Sequence, residues 1–179
     1  MVYIDEIGGL EPYPDLDEWL QSRPVPMSFL GGRALRLVFD ADGLRPEEFR
    51  QSIANLLGAQ PSLLTECERY VIEYCVEMQD LFGLDDNERI QVTEPADIWE
   101  HVRFGEEIHA SVRRDGDDED GVYFSLDCGC DWEEEHGLQL IIRNGLRVTK
   151  VGPYDGHLTN SDAFADRSLR GVVYRSIAT

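Results

Sequence analysis

From Ala34 to Asp40 the apolar residues Leu35, Leu37 and Phe39 alternate with Arg36 and Val38. That period of two predicts a half-buried strand, ended by the turn Asp40-Ala41-Asp42-Gly43. The period then lengthens. Pro46 suits a first helical position, Glu47 and Glu48 suit the positive end of a helix dipole, and Phe49, Ile53, Leu56 and Leu57 form one stripe before Gly58. A helix over 46–58 follows. A second is expected over 61–82, where Leu63/Leu64, Cys67, Val71, Tyr74/Cys75, Met78 and Leu81/Phe82 recur every three to four residues and Gly83 stops the run. A short helix over 94–101 is suggested by Thr93 as cap and Pro95 near the start.

The second half returns to strand periodicity. Glu107 to Arg113 and Val122 to Cys128 flank an acidic loop, while Leu138 to Arg143 and Leu146 to Val151 flank Asn144-Gly145. Asn-Gly between apolar strands predicts a two-residue turn with both central residues at positive φ, which sets Leu138 opposite Val151 and brings His136 near Pro153. Residues 1–32 mix four prolines with four glycines and read as an irregular arm with a turn of helix around Asp15 to Gln21. Residues 153–167 read as loop, with a last edge strand over 171–177. The expected fold is α+β, an antiparallel sheet of about five strands covered by two helices, with an arm (1–32) ahead of one domain (33–179).

Composition narrows the function classes. The 179 residues carry 36 Asp/Glu against 16 Lys/Arg, a formal charge of −20, so phosphate backbones and anionic lipid are repelled and neither nucleic acid nor membrane is an expected partner. A chain of this size buries roughly 70% of its unfolded surface, so no cofactor or disulfide is needed to hold it together. The opening residues MVYIDEIGGLEPYPDL carry no basic residue and no signal-length apolar run, which leads to the expectation of a cytosolic protein with reduced thiols.

Half of that charge lies between Asp115 and Glu135, which hold ten acidic residues and no Lys or Arg. The loop over 115–120 does not fit a calcium loop, because Asp120 stands where glycine is required and Leu126 where glutamate is required. The stretch CGCDWEEEHGL over 128–138 concentrates thiols, carboxylates, a tryptophan and a histidine at a strand end. Three chemistries compete for it. Cys128, Cys130, His136 and His157 could ligate zinc, although their spacing matches no standard pattern. Glu135, His136 and Asp155 could form an acid/base site. Alternatively, Asp117, Asp118, Glu119, Asp131, Trp132 and Glu134 form a surface for a basic protein partner.

These residues also carry a resemblance. The segments IHASV, GVYFSLDCGCDWEEEHGLQLIIRNG and VTKVGPYDG resemble a family of uncharacterised bacterial proteins with a domain of unknown function. Its mark is G-x-x-W-[DE]-x-EHGL, here Gly129, Trp132, Glu133, Glu135, His136, Gly137 and Leu138, then a hairpin and a V-x-x-VG strand at Val148, Val151 and Gly152. The likeness spans about Arg33 to Gly156 and implies no assigned activity. Some such small acidic proteins resemble immunity proteins that neutralise secreted bacterial toxins. The expectation is therefore a non-enzymatic acidic binding module, immunity-like, with a small metal-dependent or acid/base hydrolase at Glu135, His136, Asp155 and His157 as the alternative.

Overall fold

The computed structural model describes residues 2–177. Ten strands form in chain order: β1 (Tyr3–Ile4), β2 (Gly8–Gly9), β3 (Glu11–Tyr13), β4 (Leu16–Gln21), β5 (Val25–Met27), β6 (Arg33–Asp40), β7 (Val102–Arg113), β8 (Gly121–Cys130), β9 (Leu138–Arg143) and β10 (Arg147–Gly152). The first two pair with each other. The rest make an eight-stranded sheet in the order β10-β9-β8-β7-β6-β4-β3, with β5 beside the start of β6. The helices are α1 (Pro46–Gly58), α2 (Ser62–Thr65), α3 (Glu68–Leu81) and the short α4 (Asn160–Ala163), with a 3-10 turn over Pro95–His101.

The α+β class and the helix over 46–58 stand as the pattern predicts, while the detail of the sheet differs in three ways. The arm over 1–32 is largely strand: β4 pairs Trp19, Leu20 and Gln21 with Asp40, Phe39 and Val38 of β6, so no helical turn forms around Asp15 to Gln21. The pairing of β6 with β7 is parallel, and the helical segment between them is the crossover that such a pairing requires. The segment over 171–177 adds no ladder; it gives the edge of β10 one backbone bond, Val151 N–H to the Val173 carbonyl at 2.8 Å.

The expected 61–82 helix is broken at Cys67. There the chain tightens into a three-residue bond, Cys67 N–H to the Leu64 carbonyl at 3.0 Å, and the Cys67 thiol turns back to the same carbonyl. Leu63, Leu64 and Cys67 are all buried on either side of the break, as their shared stripe predicts. Before the 3-10 turn the cap is Glu94, paired with Asp97 in a capping box, rather than Thr93.

Strand alternation divides the sheet into two faces. Leu35, Leu37 and Phe39 of β6, Phe124, Leu126, Cys128 and Cys130 of β8, and Leu138, Leu140 and Ile142 of β9 join one core cluster with Phe49, Ile53, Leu56, Val71, Tyr74 and Cys75 from α1 and α3. The other face carries Tyr123, Ser125, Gln139 and Lys150, all buried.

The Asn144-Gly145 turn forms, with φ of 54° and 69° and Leu146 N–H bonded to the Arg143 carbonyl at 3.0 Å. Leu146 is left out of the ladder, however, and a bulge at Thr149 shifts the register again, so Val151 faces Leu140 rather than Leu138. Gly145 is held to glycine twice over, since a Cβ there would also lie 2.2 Å from the Ser52 carbonyl oxygen of α1. Among the described residues, no helix is long and apolar enough to cross a membrane.

Candidate functional site

The loop between β8 and β9, residues 131–137, is built around one buried carboxylate. Glu133 is 7% exposed and accepts from the backbone N–H groups of Glu135 (3.0 Å), His136 (2.6 Å) and Gly137 (2.9 Å). Its own carbonyl receives the Cys130 thiol at 3.2 Å. Trp132 is buried edge-on against Tyr74 of α3 at 5.9 Å between centroids, and the Tyr74 hydroxyl donates to the Gly137 carbonyl at 3.0 Å. Gly137 has φ of +65°, and a Cβ there would sit 2.3 Å from the Cys128 carbonyl oxygen. The W-E-E-E-H-G-L string is thus a folding device, with Glu133 and Gly137 fixing the turn. What it displays outward is Glu134, Glu135 and His136, all exposed.

Two clefts flank this loop. One, of about 520 Å³, is lined by Met78, Leu81, Phe82, Glu135, His136, Tyr154, Asp155 and Ile177 among others. The second, of about 410 Å³, runs past Phe82, Leu84, Glu88 and Ile90 to Asp131, Glu134 and Glu135. Neither is lined by a Lys or Arg. Between them stands Phe82, 60% exposed, with Leu81 at 52%, so these two residues are not the buried end of the α3 stripe that their spacing predicts.

The structure therefore places Glu135, His136 and Asp155 in one cleft, while His157 lies outside its lining. His136 Nδ1 is 3.6 Å from Glu133 Oε2, and Glu133, Glu135 and His136 present ligand atoms within 4.8 Å of one another. Asp155 belongs to a different network. Its Oδ1 receives the buried Lys150 ammonium at 2.6 Å and the His157 N–H at 2.9 Å; Lys150 also donates to Gln139 Oε1 (2.7 Å) and the His157 carbonyl (3.3 Å). Gln139 in turn reaches Ser125, and Ser125 reaches Asp127. Burial lowers the Lys150 pKa against the raising influence of Asp155.

Among the described residues, Cys128 and Cys130 join no metal-ligating group with His136 and His157. Both thiols lie in the apolar core, where desolvation raises them to about 12 and about 11 respectively. The acidic hairpin loop is likewise turned inward. Arg113, with a side chain 7% exposed, draws in Asp115, Asp117, Asp120 and Asp162 at 2.5–3.2 Å. Asp117 also holds Arg170 at 2.6 Å, and its hydrogen bond with Arg113 pulls its pKa to about 2. Glu119 is buried against the Ser161 hydroxyl and the Gly171 N–H. Asp131 grips Arg103 and His101, which holds its carboxyl below the usual range. Of the six residues expected to form a binding surface, Asp118 and Glu134 keep exposed carboxylates outside the Arg113 and Arg103 networks: the Asp118 side chain is 76% exposed with its carboxylate meeting Arg170 at the rim, and Glu134 forms no ion pair among the described residues.

Lys150 and the Phe82 ridge escaped the sequence reading. A signal for the first was present, because Lys150 is the only lysine in the sequence and stands in an apolar strand.

With that geometry in place, comparison with known proteins adds one finding. Residues 6–158 match the profile of a family described as a domain of unknown function, DUF6985, a span wider than the Arg33 to Gly156 of the motif resemblance. No curated protein and no solved structure matches the chain. The chain belongs to the DUF6985 family.

Proposed function

We propose that this member of a family without assigned activity is a non-enzymatic binding module of the bacterial cytosol, which engages a basic protein partner. The observation that carries the reading is the exposed ridge Leu81–Phe82 between two clefts whose charged lining is wholly acidic, with no Lys or Arg in either. Exposed apolar residues rimmed by charge of one sign mark a protein-binding surface, and the complementary sign on the partner steers encounter. Such a surface suits an apolar or aromatic anchor flanked by Arg or Lys. Toxin neutralisation by an immunity-like protein is the concrete form of this role, since a nuclease toxin presents a basic surface. Nucleic acid and anionic membranes are disfavoured by the net charge of −20.

Titration calorimetry with a synthetic peptide carrying a Trp-Leu pair between two Arg-Arg flanks tests this. Saturable binding is expected, weakened at least tenfold by Phe82→Ala and again by Glu134→Gln with Glu135→Gln, and weakened by raising salt. Binding that ignores all three changes overturns the proposal.

The hydrolase alternative draws support from the closeness of Glu133, Glu135 and His136, within 4.8 Å. Against it stands Glu133, whose two oxygens already take three backbone N–H groups. Calorimetry with Zn²⁺ alone decides: stoichiometric binding lost in His136→Ala favours the alternative, and no binding removes its metal form.

A further inference from the structure

A separate cleft lies on the opposite face of the sheet, against the segment after β10. It has a volume of about 300 Å³ and is lined by Tyr123, Arg143, Arg147, Thr149, Asn160 and Arg170, with Asp118 and Glu119 at its acidic side. In a chain with 36 carboxylates for 16 cations, three guanidinium groups at one cleft reverse the local sign.

Two of the three are uncompensated. Arg143 and Arg147 face each other directly across the β9–β10 ladder, an arrangement that is destabilising for like charges. Neither forms an ion pair among the described residues, although Arg170 does, with Asp117 at 2.6 Å and Asp118 at 3.2 Å. Arg143 is fixed in place by backbone acceptors, its Nη2 donating to the carbonyls of Asp118 (2.7 Å) and Asp120 (2.6 Å), yet its Nε is buried with no partner. Of the two carboxylates that share the cleft, Glu119 is engaged by Ser161 and the Gly171 N–H, and Asp118 stands at the exposed rim against Arg170, so neither pairs with Arg143 or Arg147. Buried polar groups ordinarily find a partner, and guanidinium is the side chain best shaped to hold planar or tetrahedral oxyanions.

We propose that this cleft is a binding site for a small molecule bearing an oxyanion, phosphate or carboxylate, held between Arg143 and Arg147. Its volume sits at the lower end of small-ligand pockets and excludes a folded partner. The cross-strand arginine pair is then the recognition element, and Thr149 and Tyr123 line the remaining wall.

The test is thermal melting and calorimetry of the intact chain with inorganic phosphate and, separately, with succinate, each against sodium chloride of equal ionic strength. A saturable rise in melting temperature with either probe supports the site, and the probe that binds more tightly identifies the anionic group. Arg147→Gln, at an exposed position where folding is not at issue, is expected to weaken that binding at least tenfold, whereas Arg23→Gln at the far edge of the sheet leaves it unchanged. No saturation with either probe overturns the proposal. So does saturation with the same midpoint in Arg147→Gln, which identifies an adventitious ion only.

Discussion

Two acidic loops, close in composition, are used in opposite ways. In the β7–β8 loop, Asp115, Asp117 and Asp120 converge on Arg113, and Arg170 and Arg143 close over the outside by binding Asp117 and the Asp118 and Asp120 carbonyls. In the β8–β9 loop one carboxylate, Glu133, organises the backbone and leaves Glu134 and Glu135 facing solvent beside an apolar ridge. The difference does not lie in the acids. It lies in how many guanidinium groups the fold delivers: Arg113, Arg143 and Arg170 enclose the first loop, whereas Arg103 of β7 reaches only Asp131 at the start of the second. A dense acidic run is therefore a structural element where arginines reach it and an interaction surface where they do not.

The comparison breaks most sharply at Arg113. Arg113→Met leaves Asp115, Asp117, Asp120 and Asp162 facing one another without their cation, and removing one partner of a mostly buried ion cluster costs about 3 kcal/mol or more. Urea denaturation is expected to show that loss, with the hairpin loop becoming protease-sensitive. A mutant as stable as the wild type would mean that the loop does not depend on its arginine.

Glu133→Ala probes the other loop on its own terms. Three backbone N–H groups lose their acceptor, but water replaces part of it at the surface, so a loss of about 2 kcal/mol is expected by the same measurement. Glu133→Gln keeps one acceptor oxygen and should lose about half as much.

Acid distinguishes the loops more gently. The Asp117 carboxyl is drawn from 3.8 to about 2 by its hydrogen bond to Arg113, and Asp162 is shifted in the same direction by the same guanidinium. A carboxylate depressed in the folded state contributes stability that is complete above pH ~4 and disappears as pH falls toward ~2. The urea midpoint of the wild type should fall across that window. In Arg113→Met the slope there should flatten, and an unchanged slope would place the acid sensitivity elsewhere.

The sequence yields what is local. Helix α1 is legible because Pro46, Glu47, Glu48, the apolar stripe and Gly58 all lie within it. The Asn144-Gly145 turn is legible because its φ requirement belongs to those two residues. β4 was not, since Leu16 to Glu18 are exposed and the strand exists only because β6 pairs with it. The parallel β6–β7 pairing joins residues some 70 positions apart and leaves no periodic trace. At the site, Glu134, Glu135 and His136 were legible as a cluster, but Phe82 fits the helical stripe by spacing and lies just past the end of α3 at Leu81, exposed. Nor does the acidic run itself record which of its members an arginine from elsewhere will neutralise.

The smallest expected effect on stability is the most informative about function. Glu134→Gln with Glu135→Gln removes two carboxylates that are exposed and hold no arginine, and Glu135 contributes only its backbone N–H to the Glu133 turn. Surface changes of this kind stay within about 0.5 kcal/mol, so the double variant should melt with the wild type while losing affinity for the arginine-flanked peptide. If stability fell by as much as in Glu133→Ala, the two glutamates would be part of the loop's scaffold, and the contrast between a neutralised and an available acidic loop would fail. Unchanged stability with reduced binding places the two glutamates on the working face of the protein, and it sets them apart from the carboxylates that Arg113 gathers at the far end of the same β8 strand.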